Sequence, residues 1–555
     1  MGKLFILIIV IALNFTTAGA QWSHDPSVNT PVCTATGKQI DLRIMEDNKG
    51  GAYIAWKDYR TGVPDIYIQR VNKYGVPLWT IDGVGLCTNP SDQSTPFITT
   101  DKNGGAIVAW SDWRSGIERD LYAQRIDSNG VVQWTVDGVV VAAKSNREHN
   151  EKITTDEMGG AIIVWEQQGG TGLWDVWAQR IDANGNPVWT VGGIPMTTAA
   201  GNRINGRVKS DGKGGAYITW QDYRSGNYDI YAQHVSSTGT LLWGSSALLV
   251  CNAADAQTTP KIDADKNGNG AYICWVDKRN GLNYDLYAQK VDSTGALSWA
   301  TNGIPVVAMI GNQSAHDIQV SPILNDMIVT WKDKRSNIDY DIYAQKISPS
   351  GVPQWTANGV VVCNAQYDQV NPNLVNDYAG GGIIVWQDSS SSTWNVKAQR
   401  VDGNGIMKWT TNGENVGIAA GDQTSPKNCT DDNRGSIFAF QDKRFGQYDI
   451  YAHHLYSDGT TTMSNDEINF TISTNVSPNP FTNTFSVSVY DQNEFNVSVL
   501  DISGKNVMNA FTFTEENITN GKLLRFKSSD ELQTGIYFVH VYTGQNSAIV
   551  KLIKE

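Results

Sequence analysis

Short apolar runs alternate with polar, glycine-bearing turns along most of this chain, and they return in the same order at a fixed interval. A run such as Gly51-Ala52-Tyr53-Ile54-Ala55-Trp56 ends in an aromatic residue, passes through an acidic turn and is followed by a second run, Asp65-Ile66-Tyr67. The aromatic position recurs at Trp110, Trp165, Trp220, Trp275, Trp331, Trp386 and Phe440, in steps of 54 to 56 residues. Period-2 patterning over short runs bounded by Gly, Asp and Asn predicts strands. Eight copies at one period predict a repeat architecture.

The turn signals divide each unit into four strands. In the second unit the predicted strands cover residues 96–99, 106–110, 121–126 and 131–134, the last extending toward Val141, with turns at 101–105, 112–120 and 127–130. Four short antiparallel strands in about 55 residues describe a propeller blade, and apolar residues at helical spacing are missing. The expected fold is therefore all-β: an eight-bladed β-propeller over residues 21–460, then a linker at 461–474 and a small β-sandwich at 475–555.

The two ends of the array predict how the ring closes. Trp79, Trp134, Trp189, Trp243, Trp299, Trp355 and Trp409 each follow a Gly by four residues, whereas Gly459 is followed at that distance by Met463. A spare Trp22 precedes Val32-Cys33 much as Trp79 precedes Leu86-Cys87. Residues 22–34 are thus expected to supply the outer strand of the last blade and to cover its open edge.

The strand–turn–strand segment, for example Trp220-Gln221-Asp222-Tyr223-Arg224-Ser225-Gly226 with Asp229-Ile230-Tyr231, resembles the repeat of TolB-like propellers over about twenty residues of each unit. The resemblance implies fold rather than activity. The Asp-box of sialidases fits poorly, because Asp292-Ser293-Thr294-Gly295-Ala296-Leu297-Ser298-Trp299 has one residue too many on each side of Gly295.

Beyond Gly459 the pattern changes. Ser477-Pro478-Asn479-Pro480-Phe481, Asp501-Ile502-Ser503-Gly504-Lys505, Gly535-Ile536-Tyr537 and a basic last strand follow in order. This region resembles the C-terminal sorting domain (type A) of type IX secretion substrates in Bacteroidota. The resemblance implies passage across the outer membrane by the type IX machinery and a protein secreted or held at the cell surface. Residues 1–20 fit that route: Lys3, an apolar run at 4–13 and Ala18-Gly19-Ala20 read as a signal peptide cleaved near Ala20. Its apolar stretch is about half of what a membrane span needs, so no transmembrane segment is expected in the mature chain.

Charge and cysteine content narrow the partners. A net charge of -13 with no basic run argues against nucleic acid. Cys33, Cys87, Cys251 and Cys363 sit at equivalent places in separate units, where Cα atoms seldom approach within the ~7 Å a disulfide tolerates, and read as small buried residues. No zinc spacing, metalloprotease helix or nucleophile elbow occurs. The weak calcium candidate, Asp263, Asp265 and Asn267, lacks the closing Glu of a calcium loop, since Cys274 stands there.

The acidic turn repeats as Asp58/Arg60, Asp112/Arg114, Asp222/Arg224, Asp277/Arg279, Asp333/Arg335 and Asp442/Arg444, each followed by a further Asp. A catalytic pair should be singular, so a pair present in six units reads as turn construction. Departures are better candidates for ligand contact. The third unit replaces the pair by Glu166 and Gln168 with Trp174, and the seventh has Asp388 with Trp394. Tyr228, Tyr284, Tyr340 and Tyr448 hold the corresponding aromatic place in four other units, and Gln93, Gln257, Gln369 and Gln423 each stand three residues before a Pro in the longer loops. Aromatic faces and amides suit a glycan or protein ligand. The expected activity is binding without catalysis; a polysaccharide- or peptide-degrading enzyme with its site on the propeller face, and a structural surface protein, are the alternatives.

Overall fold

The computed structural model describes residues 22–144, 147–461, 473–490, 496–501, 507–518, 521–529, 532–542 and 547–554. Residues 1–20, expected to be a signal peptide, and residues 462–472 of the expected linker lie outside them. The chain forms two compact units, Met1–Thr461 and Thr462–Glu555.

The first unit is all-β and propeller-like. Its strands make eight successive four-stranded antiparallel sheets, each a simple up-and-down order. In the first sheet these are Gln39–Glu46, Ala52–Asp58, Asp65–Val71 and Val84–Cys87. The second strand is buried on both faces, which explains its continuous apolar run: Ala52, Tyr53, Ile54, Ala55 and Trp56 are each no more than 1% exposed. Side chains from adjacent sheets share each core, as where Ile107, Ala109 and Leu121 of one pack with Ala161, Ile163 and Trp165 of the next.

The last sheet is completed from the other end of the chain. Its order is Thr30–Cys33, Asp449–Leu455, Ser436–Asp442, Gln423–Thr430, with Thr30 opposite Ala452 and Cys33 opposite Ile450. Trp22, Val32 and Cys33 enter a core that holds both Leu42, Ile54 and Trp56 of the first sheet and Ile437, Ala439 and Ile450 of the last.

The outer strand differs from its sequence expectation. Around Val132 there is only an isolated bridge to Ile126, and the outer strand of the second sheet is Val139–Ala142. Trp134 therefore ends no strand. Its indole Nε1–H instead donates to the Ala183 carbonyl of the next unit at 3.0 Å. The same bond recurs from Trp79 to Ser128, Trp189 to Ser237, Trp243 to Ser293, Trp299 to Pro349, Trp355 to Gly403 and Trp409 to Ser457. Trp22 makes the eighth, to Lys73 at 2.8 Å. Each indole also lies against a turn glycine of the unit it reaches. A Cβ on Gly75 would come within 2.8 Å of Trp22, and one on Gly459 within 2.6 Å of Trp409. Both glycines have positive φ, 79° and 86°, so space and backbone alike exclude a side chain. The eighth unit keeps Gly459 because Trp409 needs it.

In the second unit, Ser473–Ser477, Thr484–Tyr490, Gly521–Ser528 and Phe511–Ile518 form one sheet, and Asn496–Asp501, Gly535–Tyr542 and Ser547–Lys554 another. Both contribute to one core that includes Phe485, Val487, Leu524, Val499, Val539 and Leu552.

Candidate functional site

The acidic turn is a buried scaffold. Asp58 is fully buried; its Oδ1 accepts the Arg60 backbone N–H at 2.9 Å, and its Oδ2 accepts Trp56 Nε1–H at 2.8 Å and Arg60 Nη2 at 2.7 Å. The guanidinium stacks on Tyr67, 3.8 Å from the ring centre, and also donates to the Asp82 carbonyl. The arrangement repeats at Asp112/Arg114, Asp277/Arg279 and Asp333/Arg335. At Asp442/Arg444 the donated bonds reach Val28 and Asn29 of the N-terminal segment. The six cysteines are buried and unpaired, and Arg60, Arg114 and Arg279 each donate to one of them.

The departures from the turn pattern are less available than their sequence suggests. Glu166 is 4% exposed and is held by the Asn150 amide and by the Asn205 backbone N–H at 2.7 Å. Asp388 is fully buried and accepts from Ser390. Gln93, Gln257, Gln369 and Gln423 are also fully buried, and their amide groups donate to carbonyls of their own loops, such as Ser91, Asp255, Tyr367 and Gly421. These six are built into their own loops, yet among the described residues Asp388 Oδ2 and the Oε1 atoms of Gln93, Gln257, Gln369 and Gln423 have no hydrogen-bond partner. Gln168 is half-buried and donates to the Gly172 carbonyl at 3.1 Å.

The carboxylates of the calcium candidate are engaged by cationic side chains. Asp263 is 1% exposed and contacts Lys209 at 3.1 Å and Lys266 at 3.0 Å. Burial raises its pKa, but these ammonium groups more than offset that and hold it down to about 2. Asp265 faces Lys290 at 2.9 Å, and Asn267 donates its backbone N–H to Asp265. Among the described residues no group of three His, Cys, Asp or Glu side chains is placed to hold a metal.

The aromatics stay accessible. Trp174, Trp394, Tyr228, Tyr340 and Tyr448 are half-buried and Tyr284 is 41% exposed. Their backbones link units: the carbonyls of Tyr228, Tyr284, Tyr340, Trp394 and Tyr448 accept the N–H of Gln257, Gln313, Gln369, Gln423 and Gln39. Tyr284 and Tyr340 line one cavity of about 500 Å³ together with Thr258, Lys261, Lys278 and His316. Trp174 instead packs on His149, with ring centres 4.2 Å apart.

That cavity leads to the part of the site that sequence reading missed. In seven units the first strand of the sheet begins at a buried polar residue (Gln39, Glu148, Arg203, Gln257, Gln313, Gln369, Gln423) paired near the acidic-turn end, and in the second unit Gln93 makes an isolated bridge to Asp112 ahead of the strand Phe97–Thr100. In seven units the strand then bulges at a residue of positive φ: Asp41, Asn150, Asn205, Thr259, Ala315, Asn371 or Ser425. A bulge re-aims the side chains that follow. Neighbouring units hold some of these bulges, as Gln441 Oε1 accepts Asp41 N–H at 2.7 Å and Gln221 Oε1 accepts Thr259 N–H at 2.9 Å. Four residues after each anchor stand Arg43, Phe97, Lys152, Arg207, Lys261, Asp317, Asn373 and Lys427.

These residues from distant units share one space. A cavity of about 360 Å³ is lined by Asp41 and Arg43 of the first unit, Lys261 of the fifth, His316 of the sixth, Asn371 of the seventh and Lys427 of the eighth. Another of about 460 Å³ is lined by Arg43, Phe97, Arg119, Arg147, His149 and Glu151. Arg43 is common to these two, and Lys261 and His316 to the first and the tyrosine cavity. The three cavities thus lie side by side along shared residues, here called the track.

Its charge is strongly one-sided. Lys261 pairs with Asp317 at 3.3 Å, and the Asn373 amide donates to the same carboxylate at 2.6 Å. Among the described residues Arg43, Lys152, Arg207 and Lys427 have no carboxylate within 4.0 Å. Arg43 and Lys152 instead lie on Phe97, 4.3 and 4.1 Å from its ring centre. Burial, followed by the charge of Arg43, pushes Lys427 down to about 8. Burial also lowers Arg43 to about 10, and holds Lys152 well below an ordinary lysine with Arg207 adding to it. His316 is pushed down to about 4 by burial and by Lys261; its Nε2–H donates to the Cys274 carbonyl at 3.1 Å. Asp41, Glu151, Glu166 and Asp317 act on these cations from beyond contact distance, so the positive excess is partial and leaves room for a further anion.

Residues 475–555 match the family model of the secretion system C-terminal sorting domain. The chain therefore carries a type IX sorting domain and is secreted or held at the cell surface, handled by that machinery. No curated protein matches the sequence. Similar solved structures are propeller glycoside hydrolases. One is an endo-arabinase from Bacteroides thetaiotaomicron, 14% identical over 51% of this chain and 99% of that one, with a TM-score of 0.27. An α-L-arabinanase from Penicillium chrysogenum is 12% identical over 68% and 97%, at 0.33. An α-L-arabinofuranosidase from Fusarium graminearum is 10% identical over 78% and 99%, at 0.33. Likeness this distant carries no argument about chemistry.

Proposed function

We propose that this protein is an exported, extracellular binding protein whose first unit is a closed eight-bladed propeller and whose glycan or protein ligand docks where the inner strands meet. The observation that carries the site is the 360 Å³ cavity lined by residues of the first, fifth, sixth, seventh and eighth units. Closure of the ring draws support from the eighth indole bond, Trp22 to Lys73, and from Gln39 N–H bonding the Tyr448 carbonyl at 2.6 Å. The domain reading follows: signal peptide 1–20, propeller 21–460, linker 461–474 and sorting domain 475–555.

Binding is favoured over catalysis because the carboxylates along the track are committed. Asp317 is held by Lys261 and Asn373, and Glu151 accepts from Ser94 Oγ–H and Ser111 N–H at 3.1 and 3.0 Å. Two carboxylates free to work on one glycosidic bond would be needed otherwise. A glycan array probed with the mature protein tests the reading: binding is expected, and it should weaken in the Tyr284→Ala/Tyr340→Ala variant. Depletion of a bound polysaccharide with release of product would overturn the binding reading in favour of an enzyme.

A further inference from the structure

We infer that the ligand is an anionic glycan whose carboxylate or sulfate groups are held by Arg43, Arg207 and Lys427. This rests on the reading of the inner-strand track as the binding site and names the chemistry of what it takes.

Five of the eight residues in the fourth column of the inner strands are cationic and one is acidic, in a chain with 43 basic and 56 acidic residues. Carboxylates were thus abundant, yet among the described residues only Lys261 of the five has one in contact. The carboxylates of Asp41, Glu151 and Glu166 act on Arg43, Lys152 and Arg207 without touching them, so these donors are not tied up in ion pairs. Asp317, tied to Lys261 and Asn373, concentrates the remaining positive charge on the opposite side, around Phe97. Phe97 has a cation lying against its ring from each neighbouring unit, so it fixes Arg43 and Lys152 rather than offering its ring to the ligand. Arg43 and Arg207 each give one Nη1–H to the adjacent backbone carbonyl, of Leu42 and Gly206. The other guanidinium donors can form the two-point contacts that carboxylate and sulfate accept.

The track also says that the anion is part of a chain of sugars. A single small anion would need only one pocket, whereas three adjoining cavities run from Arg119, Arg147 and His149 past Arg43 to Tyr284 and Tyr340. The far end is lined by hydroxyl, amide, neutral imidazole and half-exposed tyrosine groups, which match the hydroxyls and apolar faces of sugar rings.

The test is calorimetric titration of the full mature protein with hexagalacturonate, a chondroitin sulfate hexasaccharide, neutral cellohexaose and a polyglutamate of equal charge. At least one anionic hexasaccharide is expected to bind tenfold or more tighter than cellohexaose and to weaken as salt rises. Arg207→Gln and Lys427→Gln should each weaken it several-fold, while the exposed Lys213→Gln should not. Melting curves for each variant separate lost binding from lost folding. Hexagalacturonate offers carboxylates alone and chondroitin sulfate both carboxylates and sulfates, so binding of the latter without the former assigns the recognised group to sulfate. Equal affinity for cellohexaose, with dependence on Tyr284 and Tyr340 retained, overturns the anionic ligand but leaves the track as the site. Tighter binding of polyglutamate than of either anionic sugar overturns the sugar in favour of an acidic peptide. Binding of none of the four overturns both readings.

Discussion

Trp22→Ala probes whether the N-terminal segment is a structural part of the last blade. Trp22 is 2% exposed, donates to Lys73 at 2.8 Å, and stacks on His454 with ring centres 5.7 Å apart. Gly75, in turn, has no side chain to fill the space an alanine would leave. A buried Trp replaced by Ala costs about 3–5 kcal/mol. At an unfolding entropy of about 2.1 cal/mol/K per residue, a cooperative unit of about 440 residues loses about 1 °C per kcal/mol, so Tm should fall by about 4 °C. Trp189→Ala, which removes the equivalent bond between two interior units, should cost a similar amount. Deletion of residues 21–35 should cost more, since Val32 and Cys33 leave the core and Ile450 to Ala452 become an open edge. Differential scanning calorimetry of the three variants is the assay. If Trp189→Ala lowers Tm while Trp22→Ala and the deletion do not, the N-terminal strand is an accessory and the closure argument fails.

Four further outcomes follow from contacts described above. Burial, with Asp339 and Asp333 beside it, raises Asp341 from 3.8 to about 6; its protonated form is the one the fold prefers, so its contribution is full below about pH 4 and lost as pH rises through about 6. Asp341→Asn should therefore raise Tm at pH 7 by an amount corresponding to about 1–3 kcal/mol, and the gain should vanish below about pH 4; a loss at pH 7 would reverse the sign argued here. Arg114→Gln strips the fully buried Asp112 of its 2.6 Å partner and Tyr122 of its stacked cation, and should cost roughly 3 kcal/mol in urea unfolding; a change within error would make the turn pair ornamental. Millimolar calcium should leave the melting curve unmoved, because Lys209 and Lys266 already hold Asp263, and a rise of several degrees would contradict that assignment. Residues 468–555 fused to a passenger should carry it to the surface or medium of a type IX-competent host, and retention in the periplasm would count against the sorting role.

The elements that repeat were legible because the same contacts recur in all or most units, the Asp/Arg pair in six of the eight. Trp, Gly, Asp and Arg recur since a sheet that lacks the indole bond, the turn glycine or the buried Asp/Arg pair loses contact with its neighbour or strands a charge. The missing eighth Trp and the spare Trp22 were readable for the same reason. Fine boundaries were not: residues 131–134 alternate like a strand, yet the turn before them leaves only one bridge and hands the outer position to Val139–Ala142. Glu166 and Gln423 looked like ligand contacts because polarity in a loop reads the same whether a side chain faces solvent or its own backbone. The basic residues of the track stayed hidden for the opposite reason. They are spaced about 55 residues apart, so no local run of charge marks them, and each follows a bulge that the sequence does not announce.

That bulge also explains how one fold can hold construction and recognition apart. Upstream of it, the anchor residue is bonded into its loop and the adjoining carbonyls, and changes there disturb the seam between sheets. Downstream, the fourth column varies among Arg, Lys, Asp, Asn and Phe without altering the register of any strand with its partner: Lys261 pairs with Cys274 and Asn373 with Val385 in the same frame. Side-chain identity in that column is therefore free of the packing constraints that fix the second strand. Half-buried Lys427 is not explained by stability, since its burial and the charges of Arg43 and Lys261 oppose its charged form and the attraction of Asp317 offsets them only in part. Substituting Lys427 by Gln should for this reason leave Tm unchanged or raise it while weakening the anionic ligand. A clear fall in Tm would mean that the cation serves the fold.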